Sequence, residues 1–170
     1  MAVLGRDELL KRIRQGTIKV EPFSEAQVGP ASIDLHLDHT FRVFYGRPHV
    51  HHVNDEANYE DITQLIDVDD HFLLEPGQVV HGITRERITL PDNLCGWLQG
   101  RSRFARVGLM VHITAAFVQP GISNRQVLEM MNAGPVTLAI HPGIAVCQLI
   151  IEELLGHGHY AGRFKDQELP

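Results

Sequence analysis

The sequence predicts a mainly β fold, and three observations support this. From residue 72 onward, short apolar segments alternate with turn sequences such as Pro76-Gly77 and Pro91-Asp92-Asn93. These segments have the length of strands, and no helical pattern separates them. A helical pattern is convincing only near the N-terminus, over residues 7–15. Short strands at this spacing, without intervening helices, are typical of an all-β barrel or sandwich.

The N-terminal pattern predicts one short helix ahead of the strands. Asp7 is a suitable N-cap, and Gly16 ends the pattern. Three apolar side chains recur on one face of the predicted helix: Leu9, Leu10 and Ile13. Residues 7–15 are therefore predicted to be helical.

Strands are predicted in both halves of the chain. TIKVEPF and ASIDLHL read as short extended segments, and in the second Asp34 and His36 alternate with apolar neighbours. HFLLEPGQVVHGITRERITLPDNLCGWLQG contains three strands, and RQVLEMMN, VTLAI and IAVCQLIIEEL are three more. Residues 46–70 are polar and lack periodicity, which predicts a long surface loop.

The domain organisation is simple. At this length one domain is the default, and we predict a single β domain over residues 1–155. The last residues, 156–170, are glycine-rich and polar, so they are predicted to form a flexible tail.

Composition and charge exclude several function classes. The formal net charge is −6, whereas a general nucleic-acid or anionic-membrane binder needs a broad basic face. No segment is apolar enough to span a bilayer, and the N-terminus lacks a secretory apolar core. Cys95 and Cys147 lie in apolar segments, as expected for buried free thiols of an intracellular protein. Without a CxxC pair, a thiolate zinc site is not expected.

A basic segment, GRSRFARVGL at residues 100–109, stands out in this acidic chain. If a helical turn follows Gly100, Ser102 can cap it, and Arg106 falls on the same face. Free N–H groups and guanidinium groups at such a turn favour an anion such as phosphate. The alternative is a solvated basic turn that pairs with acidic neighbours.

The segment GRSRFARVGLMVHITAAFVQPGISNRQVLEMMN resembles the signature of the dCTP deaminase family, within the dUTPase-like superfamily. GRS, AR, GL, VH, TA, PG, LE and the final asparagine all stand in register. Further similar segments are SIDLHL at 32–37, LEPGQVV at 74–80, TLPDNLCGWLQG at 89–100, HPGIAVCQLI at 141–150 and YAGRFKDQ at 160–167. The resemblance therefore covers most of the chain.

The resemblance implies a dUTPase-like distorted β-barrel of the β-clip type with a short N-terminal helix. It implies a cytoplasmic homotrimer that converts dCTP and water to dUTP and ammonia. Sites would lie between subunits, with the tail closing over them. Mg²⁺ would arrive with the nucleotide triphosphate, and no zinc would be used.

Four residues are implied in catalysis: Glu129, Ser102, Arg106 and Ala115. Zinc deaminases carry H-x-E and C-x-x-C motifs, which this chain lacks. The resemblance instead implies that Glu129 activates the attacking water. Ser102 and Arg106 would hold the water and the pyrimidine C4 region, and the backbone at Ala115 would contact the water or the leaving group. Glu129 alternates with Leu128 and Met130, so if its face of the strand lines a closed pocket, partial burial would raise the pKa of its carboxyl. The alternative is an ordinary solvent-facing glutamate on a strand.

A second set is implied in nucleotide binding. It consists of Arg101, Ser102, Arg103, Thr114, Ala115, Phe117, Gln119, Tyr160, Arg163 and Gln167. Arg101, Arg163 and Gln167 would bind the triphosphate, and Tyr160 would pack near the nucleotide. Arg103 either adds a phosphate contact or points to solvent.

Several positions depart from the family pattern. Gln119 stands where the family usually has an aspartate, and an amide cannot accept a proton, so a second, diphosphatase activity is in doubt. Asn124 replaces a turn glycine, and His36 replaces an arginine. Three alternatives stay open: a bifunctional deaminase–diphosphatase that yields dUMP, a diphosphatase alone, and a nucleotide-binding sensor without catalysis.

The eleven histidines offer another alternative, a cupin-like metal protein. His49, His51 and His52 lie in the polar loop, and His157 and His159 in the tail. H-x-H spacing on a strand can bind a metal. The required combination with a strand glutamate and a later histidine is absent around PGQVVHG and HPG, so solvated loop histidines are expected.

Overall fold

The computed structural model describes residues 2–46 and 50–170, so His49 lies outside the described residues. Two α-helices, α1 Arg6–Arg14 and α2 Ser102–Ala105, and two 3₁₀ turns, Glu25–Gln27 and Tyr59–Ile62, accompany the strands. The described strands are β1 Lys19–Glu21, β2 Ile33–His36, β3 Thr40–Phe44, β4 Thr63–Asp67, β5 Phe72–Leu74, β6 Val79–Thr89, β7 Leu94–Gly100, β8 Leu109–Met110, β9 Phe117–Val118, β10 Ser123–Asn132, β11 Leu138–Ile140 and β12 Ala145–Glu153. The predicted mainly β class is confirmed.

Three antiparallel sheets organise the strands. The largest has the order β4-β3-β6-β10-β8, and β1 also pairs with β6. A second sheet has the order β2-β12-β7-β9, and β5 pairs with β11 in a third. The strand β6 is long enough to pair with β10 on one edge and with both β3 and β1 on the other.

One apolar core joins the first two sheets. Alternate residues of β2 and β12 are buried, among them Ile33, Leu35 and Leu149. They join the same cluster as Val80 of β6 and Leu128 of β10. The period-two alternation read from the sequence therefore marks the faces that build the core.

The predicted helix is present, although its start differs from the prediction. It begins at Arg6, and its N-cap is Gly5, which makes no side-chain capping bond. The prediction of Asp7 as the N-cap was wrong. The backbone N–H of Arg6 instead donates to the carbonyl of Pro30 at 2.8 Å, so tertiary contact satisfies a group that a cap would serve.

The prediction of an unbroken loop over residues 46–70 was wrong in part. This region contains the Tyr59–Ile62 turn and β4, which pairs along the whole of β3. Its strand is an edge strand with mostly exposed side chains, so it lacks the apolar alternation that marks buried strands.

The two cysteines are buried and free, as the sequence predicts. Burial raises the pKa of the Cys147 thiol, which keeps it protonated. Among the described helices, none is long and apolar enough to cross a membrane.

Gly108, in the turn after α2, is packed closely against another segment of the backbone, and Gly143, which also has a positive φ, serves as a comparison. Gly108 has φ +93°, and a Cβ there would lie 2.5 Å from the backbone nitrogen of Gly134. Gly143 has φ +81° but would meet no atom within 4 Å. We expect Gly108→Ala to lower the free energy of unfolding by about 3 kcal/mol, through backbone strain and overpacking together. Gly143→Ala should cost about 1 kcal/mol, from backbone strain alone.

Denaturant unfolding of the two variants measures this difference. Equal losses would contradict the close approach of the two backbones at Gly108.

Candidate active site

A cavity of about 310 Å³ is lined by residues of β6, β7, β9 and β10 and of the C-terminal segment. Its lining residues come from five regions of the chain: Tyr59, His81, Leu98, Ala115, Phe117, Val118, Gln119, Ile122, Asn124, Gln126, Val127, Glu129, Tyr160, Phe164, Gln167 and Pro170. The volume is within the range of small-molecule sites.

Glu129 is the acidic side chain in this lining. It lies on β10 between Leu128 and Met130, which are fully buried, so its own side chain points to the opposite face. Its Oε2 is buried and has no hydrogen-bond partner among the described residues. Burial raises the pKa of the Glu129 carboxyl. A carboxylate with a raised pKa and an unsatisfied oxygen is suited to accept and return protons.

His81 lies directly opposite Glu129 in the β6–β10 ladder. Its Nδ1 is likewise buried without a partner among the described residues. Burial lowers the pKa of His81, and the charge of Arg42, its neighbour on β3, lowers it further. The cavity therefore holds a weakly basic imidazole and a weakly acidic carboxyl at adjacent positions on one face of the sheet.

Amide side chains supply most of the other polar groups of the lining. Gln126 Nε2 donates to Asn124 Oδ1 at 2.6 Å, and Asn124 Nδ2 donates to the carbonyl of Phe164 at 2.8 Å. Gln119 lies in the same lining. Amides offer both donors and acceptors, which is the chemistry needed to read the edge of a pyrimidine.

The C-terminal segment contains no helix or strand and covers the cavity. Gln167 exchanges two hydrogen bonds with the backbone of Arg125: its carbonyl accepts at 3.2 Å and its Nε2 donates at 2.9 Å. Tyr160 donates its backbone N–H to Pro120 at 3.0 Å. The division at residue 155 and the mobility of this tail stay predictions.

Six of the predicted site residues line the cavity together: Ala115, Phe117, Gln119, Glu129, Tyr160 and Gln167. Six others lie outside its lining: Arg101, Ser102, Arg103, Arg106, Thr114 and Arg163. Arg163 instead donates to Asn58 Oδ1 at 3.0 Å, on the loop before β4.

The basic segment, residues 100–109, lies outside the lining of the cavity. Ser102 is the first residue of α2, and no side-chain capping bond is made, so the prediction of Ser102 as the cap was wrong. Arg106 follows the turn, and its N–H donates to the Ser102 carbonyl at 3.1 Å. Arg101 pairs with Asp34 at 3.2 Å and donates to the Ala145 carbonyl at 3.2 Å. Ser102, Arg103 and Arg106 are exposed.

Sequence reasoning missed several lining residues, among them His81, Tyr59 and Gln126. His81 could have been found from the sequence, because it alternates with apolar residues in the predicted strand β6. This alternation places it on the same face of the sheet as Glu129 of the paired strand. Tyr59 carried no such signal, since it reaches the cavity from a loop.

Two departures from the family pattern have structural explanations. Buried Glu86 accepts hydrogen bonds from the His36 backbone N–H at 2.8 Å and from Gln27 Nε2 at 2.8 Å. The His36 Nδ1 lies 2.7 Å from the same carboxylate, so the imidazole partners it. Asn124 has a negative φ, so it does not use the left-handed freedom of the usual glycine.

The metal alternative based on His51, His52, His157 and His159 gains no geometric support. Within the part of the chain that the structure describes, these histidines form no group of three donors close enough for one ion.

The arrangement of the sheets defines the class of this protein. Two solved structures share it: the 2'-deoxycytidine 5'-triphosphate deaminase of Agrobacterium tumefaciens, with a TM-score of 0.68 at 18% identity, and a mutant dUTPase from phage phi11 of S. aureus, with 0.51 at 14%. This chain is covered to 88% and 86%, and it spans 47% and 97% of those chains. The fold is therefore that of dUTPases and dCTP deaminases.

The family follows from the sequence comparison. The model of the dCTP deaminase-like family matches residues 3–154, and the chain belongs to this family.

Two curated relatives illustrate the range within the family. A "dCTP deaminase, dUMP-forming" of Kocuria rhizophila is 35% identical, over 100% of this chain and 92% of its own length. A "dCTP deaminase" of a Marinomonas species is 39% identical, over 92% and 85%.

The raised pKa of Glu129 predicts a stability effect. In the folded chain the carboxyl ionises at higher pH than in the unfolded chain, so the buried charge destabilises the fold above that pKa. We expect Glu129→Gln to raise the melting temperature at mildly alkaline pH. The gain should shrink as the pH falls through the raised pKa, where the native carboxyl becomes neutral.

Thermal unfolding of wild type and variant across pH measures this effect. Glu56→Gln, at an exposed loop carboxylate, is the control and should show no such gain. A Glu129→Gln protein that is less stable at every pH would mean that the carboxylate makes a stabilising contact.

Proposed function

We propose that this chain catalyses the hydrolytic deamination of dCTP, with Glu129 as the group that activates water. The observation that carries the proposal is the partly buried Glu129 carboxylate, with an oxygen that has no partner among the described residues, in a cavity of about 310 Å³. Membership of the dCTP deaminase-like family supports the choice of substrate.

The proposed chemistry needs no group beyond the chain and water. Glu129 takes a proton from water as the oxygen bonds to C4 of cytosine, which forms a tetrahedral adduct. The proton then passes from Glu129 to N3, and Glu129 transfers the proton of the new C4 hydroxyl to the C4 amine. The C4–N bond breaks, ammonia leaves, and a C4 carbonyl remains. Burial lowers the pKa of His81, which favours the uncharged imidazole beside this exchange.

Reading of the base is assigned to the backbone at Thr114 and Ala115 and to the amides of the lining. Ala115, Gln119 and Gln126 line the same cavity as Glu129. A site that pairs with the donor and acceptor pattern of cytosine rejects uracil, because mismatched buried polar groups stay unpaired.

We propose that the complete site forms between subunits of a homotrimer. Ser102 and Arg106 are exposed and lie outside the lining that holds Glu129, so a neighbouring subunit is needed to bring them together. Apolar side chains around this region are exposed as well: Trp97, Val107, Met110, Ile113 and Phe117. Exposed apolar clusters of this kind are typical of subunit contacts.

The triphosphate is assigned to two basic side chains outside the lining of the cavity, Arg101 and Arg163, together with Gln167, which lines it. Arg103, which is exposed, is a further candidate. Mg²⁺ would bridge the phosphate oxygens and enter as part of the substrate. The tail would close over the nucleotide, with Tyr160 against it, and the enzyme would act in the cytoplasm.

The second candidate is a bifunctional enzyme that also releases diphosphate and yields dUMP. The dUMP-forming relative supports it. Gln119 in the cavity opposes it, because an amide cannot take the proton of a hydrolytic water.

Incubation with dCTP, dCMP, CTP and dUTP plus Mg²⁺, followed by chromatography, tests the proposal. We expect dCTP to lose ammonia, and Glu129→Gln to lower turnover by about 100-fold or more, as loss of a general acid–base does. Accumulation of dUMP from dCTP would favour the second candidate over dUTP formation alone.

Glu56→Gln is the control and should keep wild-type turnover. Nucleotide binding without turnover of any of the four compounds would overturn the deaminase proposal and support a sensor.

Mixing of two inactive variants tests the shared site. Ser102→Ala and Glu129→Gln should each be inactive alone. After joint refolding at equal amounts, random trimers should recover about one quarter of wild-type activity, since that fraction of sites pairs an intact Ser102 with an intact Glu129. No recovery in confirmed mixed trimers would place both residues in one subunit's site.

A further inference from the structure

We propose that Asp70, His71 and His141 form a binding site for a zinc-type divalent cation at the end of the β5–β11 sheet. None of the three lines the cavity described above. The proposal is therefore independent of the deaminase assignment.

The sheet register brings the two histidines together. In the β5–β11 pair, Phe72 lies opposite Ile140. His71 precedes Phe72 and His141 follows Ile140, so the two histidines are the next opposed positions of the antiparallel pair. Their ring centroids lie 5.3 Å apart. The pairing of two strands, rather than chance proximity of loops, sets this distance.

Asp70 completes the set of donors. Its Oδ2 lies 2.6 Å from His71 Nδ1, and its Oδ1 lies 3.7 Å from His141 Nδ1. One donor atom from each residue lies within 4.8 Å of the others. Tetrahedral ligands around zinc are separated by about 3.3 Å, given metal–ligand distances near 2.0–2.1 Å. Small side-chain rotations are therefore enough to converge on one ion.

The side chains have the freedom to make this adjustment. The exposed side-chain fractions are 81% for Asp70, 37% for His71 and 52% for His141. None of the three residues belongs to the apolar core cluster.

The donor set selects the class of metal. Two imidazoles and one carboxylate suit zinc, nickel and copper ions, whereas Mg²⁺ and Ca²⁺ prefer oxygen donors alone. Three protein donors leave a coordination position for water. A bound ion would link the turn before β5 to the turn after β11, which lie about seventy residues apart in the chain. It would thereby stabilise the smallest sheet of the fold.

Calorimetric titration of the untagged, chelator-treated full chain with ZnCl₂ tests this site. We expect one strong equivalent per chain, with no comparable binding of MgCl₂. His71→Asn, His141→Asn and Asp70→Asn should each weaken this equivalent by at least about tenfold, the effect of losing even an outer-shell partner of a metal site. His52→Asn and His157→Asn, at exposed histidines elsewhere, should leave it unchanged.

Thermal unfolding gives an independent readout. ZnCl₂ should raise the melting temperature of wild type but not that of the His71→Asn/His141→Asn double variant. Circular dichroism without metal checks that this variant folds. Strong zinc binding that survives in the double variant, or its absence in wild type, would overturn the proposal. Deamination of dCTP should be the same in the double variant as in wild type, so failure of either proposal is seen separately.

Discussion

The antiparallel pairing of β6 with β10 organises both the largest sheet and the cavity. Along one edge β6 pairs with β10, and along the other it holds β3 and β1. The same register places Glu129 opposite His81. Because side chains alternate between faces, a slip of one residue would turn Glu129 into the core and Leu128 into the cavity. The chemistry of the cavity therefore follows from the register of one strand pair.

Arg125 links this strand pair to the tail. The register of β10 shifts between Arg125 and Val127. At that point Arg125 Nε donates to the Thr84 carbonyl at 2.7 Å, and its guanidinium pairs with Asp38. The backbone of the same residue exchanges hydrogen bonds with Gln167. Irregularities of this kind often re-aim side chains beside functional sites, and here one provides the docking point of the segment that covers the cavity.

The cavity contains buried polar atoms that make no hydrogen bond with the described residues. Glu129 Oε2 and His81 Nδ1 are both buried without partners among the described residues, and they lie at opposed positions. This arrangement lowers the stability of the folded state, because each atom has lost its contact with water without gaining a hydrogen bond. Such groups are expected where a ligand or a reacting water completes the set. The elements around the cavity, with their fully buried apolar residues, provide the stability that permits it.

Elements with a local signal were predictable from the amino-acid sequence. Short apolar segments bounded by turn sequences predicted β6, β7, β10 and β12, all of which are present. The LE motif on β10 predicted a partly buried Glu129. Features that depend on residues far apart in the chain could be seen only in the tertiary structure. The strands β3 and β4 pair near the edge of the sheet and show little apolar pattern. Tyr59 reaches the cavity from a loop. The tertiary structure also left Ser102 outside the lining of the cavity that holds Glu129, although one sequence motif contains both residues. Periodicity and motifs are properties of residues that are close together in the sequence. The strand register and the shape of the cavity depend instead on pairing between strands that are far apart in the chain.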